Sequence, residues 1–311
     1  MDERLLVKVS QWYYQQGLTQ ETIAQKLGIS RSTISRVLSQ AKKRGIVKIN
    51  VSSTVRGYDV DLERRLEQVF ALQEAAVFDG SVAESPAFLM RMGAQILVRS
   101  LFEGSIIGLS WGRSVAAVVD YVPIVDPPVR NLTVVALSGG IGSSQPEIMS
   151  NSLVVKLSSK LKANAALLNA PVVVQNRFTR DILMKESTIA PVIELGSHAD
   201  VAMVGIGAVG QFSTLSTLSH LEPSSFKELM RAGAVGDICS RFYTIEGKPL
   251  TSELDDRTLG IPLMALKTVP RVIAVAWGKE KVQAILGALR MGIINVLVTD
   301  RHTAEGILNF V

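Results

Sequence analysis

The chain has 311 residues, of which 47% are hydrophobic and 20% are charged, and its formal net charge is +5. This composition supports a large hydrophobic core and excludes an intrinsically disordered chain. The single cysteine, Cys239, excludes a disulfide framework and a cysteine-rich zinc site.

The N-terminal sequence contains acidic residues and lacks the apolar segment of a signal peptide. No apolar run approaches the roughly 18 residues of a membrane span. We therefore expect a cytoplasmic protein with no membrane partner. The length favours a small module followed by one larger α/β domain.

Positive charge is concentrated at the N-terminus. Residues 1–56 contain ten lysines and arginines and three acids, a net charge of +7, so the rest of the chain carries −2. A basic module attached to a mildly acidic body is typical of a protein that binds a polyanion through one domain.

A helix-turn-helix motif is predicted within this basic module. Two amphipathic segments, Thr19–Leu27 and Ser30–Leu38, are joined by a turn at Gly28, and their apolar residues recur at helical spacing. Gly28 supplies the left-handed backbone that ends the first segment, and Thr19 and Ser30 can cap the two helices. A preceding helix would complete a three-helix core with the apolar residues Leu5, Leu6, Val9, Trp12 and Tyr13.

The polar residues of this motif face away from the predicted core. Hydroxyl and guanidinium groups there can reach base edges and phosphates in a major groove, and the cations at 42–44 can contact phosphates at its edge. An ordinary helical hairpin with a solvated face is the alternative. The candidate DNA-binding residues are Thr19, Gln20, Ser30, Arg31, Ser32, Thr33, Ser35, Arg36, Lys42, Lys43 and Arg44.

The end of the basic module is predicted from turn and strand signals. Gly45 ends the second helix, and Ile46–Val51 is predicted to form a strand like the wing of a winged helix. The polar segment after it has no periodicity and indicates a linker. We predict a DNA-binding domain over 1–52, a linker over 53–59 and an effector domain over 60–311.

The second part of the chain alternates short branched runs with helical stretches. This pattern predicts the α/β class, with a mostly parallel sheet covered on both faces and ligand-binding loops at the carboxyl ends of its strands. Phe242–Pro249 resembles an inserted antiparallel hairpin. The predicted strands are Ala75–Phe78, Ile106–Leu109, Leu132–Leu137, Ala165–Leu168, Val201–Ile206, Val272–Ala276 and Val296–Val298, and the predicted helices are Val60–Phe70, Pro86–Phe102, Ser114–Val122, Ser150–Leu161, Lys279–Arg290 and Thr303–Phe310.

Three glycine-rich loops follow predicted strands, at Gly108–Ser114, Ser138–Ser144 and Gly205–Gly210. The backbone N–H groups of such loops, with Arg113 and nearby hydroxyls, can hold a phosphate at a helix N-terminus. A tight strand-to-helix turn is the structural alternative for each loop alone. Three loops in one domain, one of them with an arginine, favour an anionic ligand.

Three further side chains are candidates for the same site. The carboxylate of Asp237 can accept sugar hydroxyls, the ammonium of Lys281 can contact a phosphate, and the indole of Trp111 can stack on a sugar ring. Taken singly, the two charged residues are also typical of solvated or capping positions.

Two enzymatic readings remain as alternatives. An isomerase or deaminase acting on a sugar phosphate needs a general acid or base, and the three histidines, His198, His220 and His302, all lie outside the glycine-rich loops. The second alternative is a dinucleotide-dependent enzyme, because the segment at 205–210 fits the GxGxxG pattern. That pattern also calls for an acid about 20 residues further on, and the only one near that distance is Glu222, beside a proline. No histidines or cysteines have metal-ligand spacing, so we predict neither a metal nor a cofactor.

The ordered set of these segments resembles the SorC-type family of bacterial, sugar-responsive transcriptional regulators, from about Leu5 to the end of the chain. The family carries an N-terminal helix-turn-helix and a C-terminal effector domain. The segments are GLTQETIAQKLGISRSTISRVL at 17–38, GLSWGRS at 108–114, LSGGIG at 137–142, VGIGAVG at 204–210, AVGDICSRFY at 234–243 and INVLVTD at 294–300.

The resemblance implies a non-enzymatic, Rossmann-like effector domain related to sugar-phosphate isomerases, a phosphorylated sugar as effector, and a homodimer or homotetramer. Some members have a cation where Ser138 stands, which leaves room for another effector class. Effector binding would change how the subunits pack and how the DNA-binding domains of two subunits bind the operator DNA of a carbohydrate operon. The candidate effector residues are Ser110, Trp111, Gly112, Arg113, Ser114, Ser138, Gly139, Gly140, Gly207, Asp237 and Lys281.

Overall fold

The computed structural model describes residues 2–49, 57–80, 86–125, 128–140, 145–210 and 223–311. The chain divides into two compact units, Met1–Val55 and Arg56–Val311. Within the described residues, no helix is both long enough and apolar enough to cross a membrane.

The N-terminal unit is a bundle of three helices. Helix α1 spans Glu3–Ser10 and continues as a π-helical segment over Gln11–Gln15, and α2 (Gln20–Leu27) and α3 (Arg31–Lys43) form the predicted helix-turn-helix. Most of the residues predicted to face inward are buried here and the others are half-buried, so the helical periodicity of the sequence gave the correct faces. This core contains Leu6, Val9, Ile23, Ala24, Ile34, Val37, Leu38 and Ala41.

The predicted helix ends of this motif are confirmed. The Thr19 Oγ1 atom accepts a hydrogen bond from the Thr22 N–H (3.1 Å), and the Ser30 Oγ atom accepts one from the Thr33 N–H (3.2 Å). Each such cap stabilises a helix by about 1 kcal/mol. Gly28 has a φ of 66°, the left-handed conformation that ends α2.

The predicted wing strand is wrong over residues 46–49, which form no strand. Gly45 has a φ of 70°, and the N–H groups of Ile46 and Val47 both donate to the Ala41 carbonyl, at 3.0 and 3.2 Å. The two side chains then pack against the three-helix core. Their apolar character therefore serves the end of α3, and Asn50 and Val51 lie outside the described residues.

A sheet of seven parallel strands forms the centre of the second unit, with strand order β1-β10-β9-β5-β2-β3-β4. Consecutive residues are buried along most of these strands, which requires that both faces be covered. All seven strands were predicted, with ends shifted by up to two residues. They are β1 Glu74–Phe78, β2 Ile106–Leu109, β3 Thr133–Ala136, β4 Asn164–Ala166, β5 Val201–Gly205, β9 Arg271–Val275 and β10 Val296–Asp300.

Helices connect these strands, and the predicted α/β alternation is confirmed. Leu62 and Leu66 of the first of them are buried in the main core. The helices are α4 Val60–Phe70, α5 Ala87–Arg99, α6 Arg113–Tyr121, α7 Ser150–Leu161, α8 Arg177–Leu183, α9 Ala190–Ser197, α10 Pro223–Arg231, α11 Glu253–Asp256, α12 Val282–Met291 and α13 Arg301–Leu308, with 3₁₀ turns at Pro146–Ile148, Leu263–Thr268 and Lys279–Lys281.

A small antiparallel sheet lies beside the main one. It consists of β6 (Gly207–Ala208), β7 (Ala234–Ile238) and β8 (Arg241–Thr244), in that order. The hairpin predicted at 242–249 is confirmed: the Thr244 N–H donates to the Lys248 carbonyl at 2.9 Å. The pairing of β8 with β7 was not predicted.

Candidate functional site

A cavity opens where the direction of the strand connections reverses. The chain runs from β2 to β3 and β4 on one side, then returns to place β5 on the other side of β2. Ligands of parallel sheets bind at such a switch point, beyond the carboxyl ends of the strands. The cavity has a volume of about 580 Å³ and is lined by Trp111, Gly112, Arg113, Ser114, Gly205, Ile206, Gly207, Ala208, Asp237, Cys239, Trp277, Glu280 and Lys281.

The loop after β2 presents a helix N-terminus and a cation to this cavity. Gly112, with a φ of 129°, precedes α6, and in the described part of the chain no side chain caps that helix. The exposed Arg113 begins the helix, and Ser114 follows it. Free backbone N–H groups and a guanidinium at one place form a site suited to an anion.

Ser110 does not line the cavity but stabilises this loop through hydrogen bonds. Its buried hydroxyl accepts a hydrogen bond from the Gly205 N–H (3.1 Å) and donates one to the Trp111 carbonyl (3.2 Å). It therefore ties the loop after β2 to the end of β5, the two strands that flank the switch point.

Asp237 brings a buried carboxylate into the cavity from β7. It pairs with Gly207 across the small sheet, and one carboxylate oxygen accepts a hydrogen bond from the Ser240 N–H at 3.2 Å. That amide is available because Cys239 and Ser240 both adopt left-handed conformations in the turn to β8. Burial raises the pKa of Asp237 to about 6, against the opposing effects of the Ser240 N–H and Lys281.

Trp277 and Lys281 line the cavity from the segment that follows β9. The Lys281 Nζ atom lies 5.9 Å from the centre of the Trp277 ring, within the range of a cation–π contact. Burial lowers the pKa of Lys281, and the neighbouring carboxylates of Glu280 and Asp237 oppose that change. The cavity thus holds two cations and two carboxylates, a mixed lining that fits a phosphate and hydroxyl groups in one ligand.

The indole of Trp111 is largely held by protein contacts. Its Nε1–H donates to the Ser240 hydroxyl at 3.1 Å, and its ring packs with Leu229 and Phe242 in a small apolar cluster. The part of the ring that lines the cavity is therefore fixed in position before any ligand enters.

The structure does not bring Ser138, Gly139 and Gly140 into this cavity. The N–H groups of Gly139 and Gly140 donate to the carbonyls of Leu259 and Ala170, at 3.1 and 2.9 Å. A Cβ at residue 139 would stand 2.5 Å from the Ala170 carbonyl oxygen, so the glycine is needed for close packing. The rest of this loop, residues 141–144, lies outside the described residues.

Sequence reasoning missed Trp277, Glu280 and Cys239 of the lining, and it singled out only Gly207 among residues 205–208, which all line the cavity. One signal was available, because a Trp-Gly pair follows both β2 and β9 and is followed in both cases by a cation. The two glycines, Gly112 and Gly278, share a left-handed φ of 129° and 111°. Both loops contribute their tryptophan to the lining of the cavity.

The N-terminal unit presents a basic surface along α3. Arg31, Ser32, Ser35 and Arg36 are exposed there, as are the cations at 42–44, whereas Thr33 and Gln20 are half-buried. Hydrogen bonds of 2.8 Å join the Ser30 hydroxyl to those of Ser32 and Thr33. The exposed side chains are those that reach base edges when such a helix enters a major groove.

Histidines and metal ligands do not gather at the cavity in the described residues. His198 and His302 are absent from its lining, and the His198 Nδ1 atom lies 2.9 Å from the Glu194 carbonyl. His220 lies outside the described residues. No group of histidine, cysteine and acidic residues in the described part could hold a metal ion.

The fold and the two surfaces define a transcriptional regulator with a DNA-binding head and a sugar-binding domain. A family model described as "Putative sugar-binding domain" matches residues 57–309, and one for a Crp-like helix-turn-helix domain matches residues 4–67. The chain belongs to the SorC-type family of transcriptional regulators.

Three relatives align over 99% of this chain. The sorbitol operon regulator of Klebsiella pneumoniae is 35% identical, with 98% of its length covered. The deoxyribonucleoside regulator of Bacillus subtilis is 33% identical with 98% covered, and the transcriptional regulator LsrR of Escherichia coli is 31% identical with 95% covered. The full-length structure of the Klebsiella regulator matches with a TM-score of 0.76 over 98% of both chains, which confirms the predicted fold.

Proposed function

We propose that this regulator binds a phosphorylated sugar in the cavity at the strand switch point and changes its affinity for operator DNA in response. One observation carries the proposal: Arg113, the uncapped N-terminus of α6 and Lys281 line the same cavity as the buried carboxylate of Asp237. Cations beside free N–H groups bind phosphate, and a carboxylate accepts hydrogen bonds from sugar hydroxyls.

The two ends of the ligand follow from this arrangement. We place the phosphate against Arg113 and the first turn of α6, where the exposed guanidinium can form paired hydrogen bonds. The sugar hydroxyls then meet Asp237, which burial among protein groups holds in place. Trp111 and Trp277 provide flat apolar walls for the carbon skeleton.

The DNA partner is proposed to be a palindromic operator of a carbohydrate transport or catabolism operon in the cytoplasm. The basic surface of α3 would enter the major groove, and two heads of a homo-oligomer, a dimer or a tetramer, would read half-sites separated by whole turns of DNA. The names of the relatives, which include a sorbitol operon and deoxyribonucleosides, support a sugar-linked operon.

A second candidate function is sugar-phosphate isomerisation or deamination. The observation in its favour is Asp237, because a buried carboxyl with a pKa of about 6 has the properties of a general base. The names of the relatives all describe regulators, which favours the first candidate. Turnover of ribose 5-phosphate or glucosamine 6-phosphate by the purified chain would establish the enzymatic function.

The decisive test is a titration of fluorescent operator DNA with the full chain. It is run with sorbitol 6-phosphate, 2-deoxyribose 5-phosphate, ribose 5-phosphate or glucosamine 6-phosphate, and each unphosphorylated sugar is the matched control. We expect one phosphorylated sugar to change the operator Kd by about tenfold, while its unphosphorylated form does not. Equal responses to both forms, or no response to any sugar, would contradict the proposal.

A further inference from the structure

The loop that forms one wall of the cavity is hydrogen-bonded to the first turn of α13. The Gly278 N–H donates to the Thr303 Oγ1 atom at 2.8 Å, and the Thr303 side chain is fully buried. The Thr303 N–H in turn donates to the carboxylate of Asp300, at 2.7 Å, which caps the helix. A displacement of the loop therefore acts directly on the start of α13.

The first turn of α13 also contacts Asp59, the residue that precedes α4. The Arg301 guanidinium lies 2.6 Å from one carboxylate oxygen of Asp59, and the Asp59 side chain is only 12% exposed. The other carboxylate oxygen of Asp59 accepts a hydrogen bond from the Leu62 N–H at 3.1 Å and caps α4. Asp59 thus joins the first turns of two helices, one of which touches the cavity loop.

Helix α4 is fixed to the edge strand β1 by its own acidic residues. The Val77 N–H donates to the Glu63 carboxylate, and the Ala75 N–H donates to that of Glu67, each at 2.9 Å. The Asp59 N–H donates to the Val77 carbonyl, also at 2.9 Å. These contacts hold α4 and Asp59 against β1, and the segment before Asp59 leads to the DNA-binding unit.

We propose that Thr303, Arg301 and Asp59 form a relay, a series of contacts through which ligand binding in the cavity changes the position of the start of α4, next to the linker. A ligand that displaces the 277–281 loop shifts the first turn of α13, which changes the Arg301–Asp59 contact and the position of the linker's end. The inference rests on the proposed function for its ligand. Thr303 and Arg301 lie outside the cavity lining and act as positioning residues.

A purely structural role for these contacts makes a different prediction. Loss of a buried hydrogen bond or ion pair would then lower stability without altering how sugar and operator DNA influence each other. The relay instead requires a coupling free energy between the two sites that depends on these side chains. The two roles are distinguished by measuring the coupling between sugar and operator binding and the local opening of α4. A measurement of stability alone does not distinguish them.

Thr303→Val is the first test variant, and the chain offers a matched control for it. Thr299 is also fully buried, but its hydroxyl has no hydrogen-bond partner among the described residues, so Thr299→Val makes the same chemical change without breaking a hydrogen bond there. We measure hydrogen–deuterium exchange of the full chain without ligand. Thr303→Val should raise exchange in the first turn of α4 about threefold, and Thr299→Val should leave it unchanged.

Asp59→Asn and Arg301→Gln test the ion pair in the operator assay. Asparagine is also a good N-cap, so Asp59→Asn removes the charge and keeps the cap of α4. Arg64→Gln is the control, because Arg64 pairs with Asp61 at 3.7 Å on the exposed side of the same helix. The factor by which the active sugar phosphate changes the operator Kd should fall at least about threefold in both test variants and remain unchanged in the control.

The outcomes separate this relay from the function on which it rests. Equal α4 exchange in Thr303→Val and Thr299→Val overturns the relay whatever the ligand is. An unchanged coupling factor in Asp59→Asn and Arg301→Gln overturns it as well. A wild-type chain that responds to no sugar phosphate defeats the proposed function, while the exchange experiment still decides the relay.

Discussion

Gly207 lies against the carboxylate of Asp237, so closely that a Cβ at residue 207 would stand 2.0 Å from the Oδ1 atom. Neither the carboxylate nor the backbone of β6 can be moved freely, because the two residues pair across the small sheet. The absence of a side chain at 207 therefore fixes where the buried charge of the cavity lies.

Gly207→Ala should abolish the response to sugar phosphate by displacing the Asp237 carboxylate, and should leave operator binding within about twofold, because the head has its own core. Gly140→Ala is the control, since a Cβ there meets no atom of the described residues within 4 Å. Isothermal titration with the active sugar phosphate measures the loss. Normal affinity in Gly207→Ala would show that Asp237 does not contact the ligand.

Asp237→Asn should stabilise the ligand-free protein at neutral pH. Because the folded pKa of about 6 lies above the unfolded value of 3.8, the folded state holds its proton longer. The destabilisation that the buried charge causes therefore grows as pH rises from about 4 to about 6, and it reaches about 3 kcal/mol.

The measurement for this variant is the midpoint of thermal unfolding as a function of pH. The difference between Asp237→Asn and the wild type should grow between pH 4 and pH 6 and then level off. Asp61→Asn, whose carboxylate is 84% exposed, is the control. A difference that is constant with pH would mean that Asp237 carries no burial cost.

Arg113→Ala and Lys281→Ala should each weaken sugar-phosphate binding by about 1–3 kcal/mol, the range for a charge-assisted hydrogen bond. Lys279→Ala removes an exposed lysine two residues from Lys281 that does not line the cavity, and its affinity should not change. Titration calorimetry gives the three affinities. Equal losses in all three variants would indicate a general charge effect rather than a defined site.

Arg31→Ala and Arg36→Ala should weaken operator binding by about 1–3 kcal/mol if each arginine contacts a base, and should lower the salt dependence if it contacts a phosphate. Arg64→Ala, on the second unit, is the control. Anisotropy titrations at several salt concentrations measure both quantities. Unchanged affinity and unchanged salt dependence in both head variants would contradict the orientation assigned to α3.

The elements that sequence predicted well are those fixed by short-range patterns. The periodicity of Ile34, Val37 and Leu38 fixes the buried face of α3, and branched runs mark the parallel strands because both faces of those strands are buried. Residues 46–49 were misread because an apolar run can also cover the end of a helix.

The composition of the cavity was only partly predictable. Strand ends that are distant in sequence meet there because β5 lies between β2 and β9, an order that local patterns do not encode. The small sheet was missed since β6 has two residues and β7 contains Gly236 and Asp237, which disfavour strands. The second glycine-rich loop looked like the first, but the N–H groups of Gly139 and Gly140 donate to protein carbonyls.

A crystal structure of the full chain with the responding sugar phosphate tests the central claim most directly. The account predicts the phosphate within hydrogen-bond distance of Arg113 and the first turn of α6, and a sugar hydroxyl on Asp237. A ligand bound instead at the 138–144 loop, or outside the cavity, would contradict it.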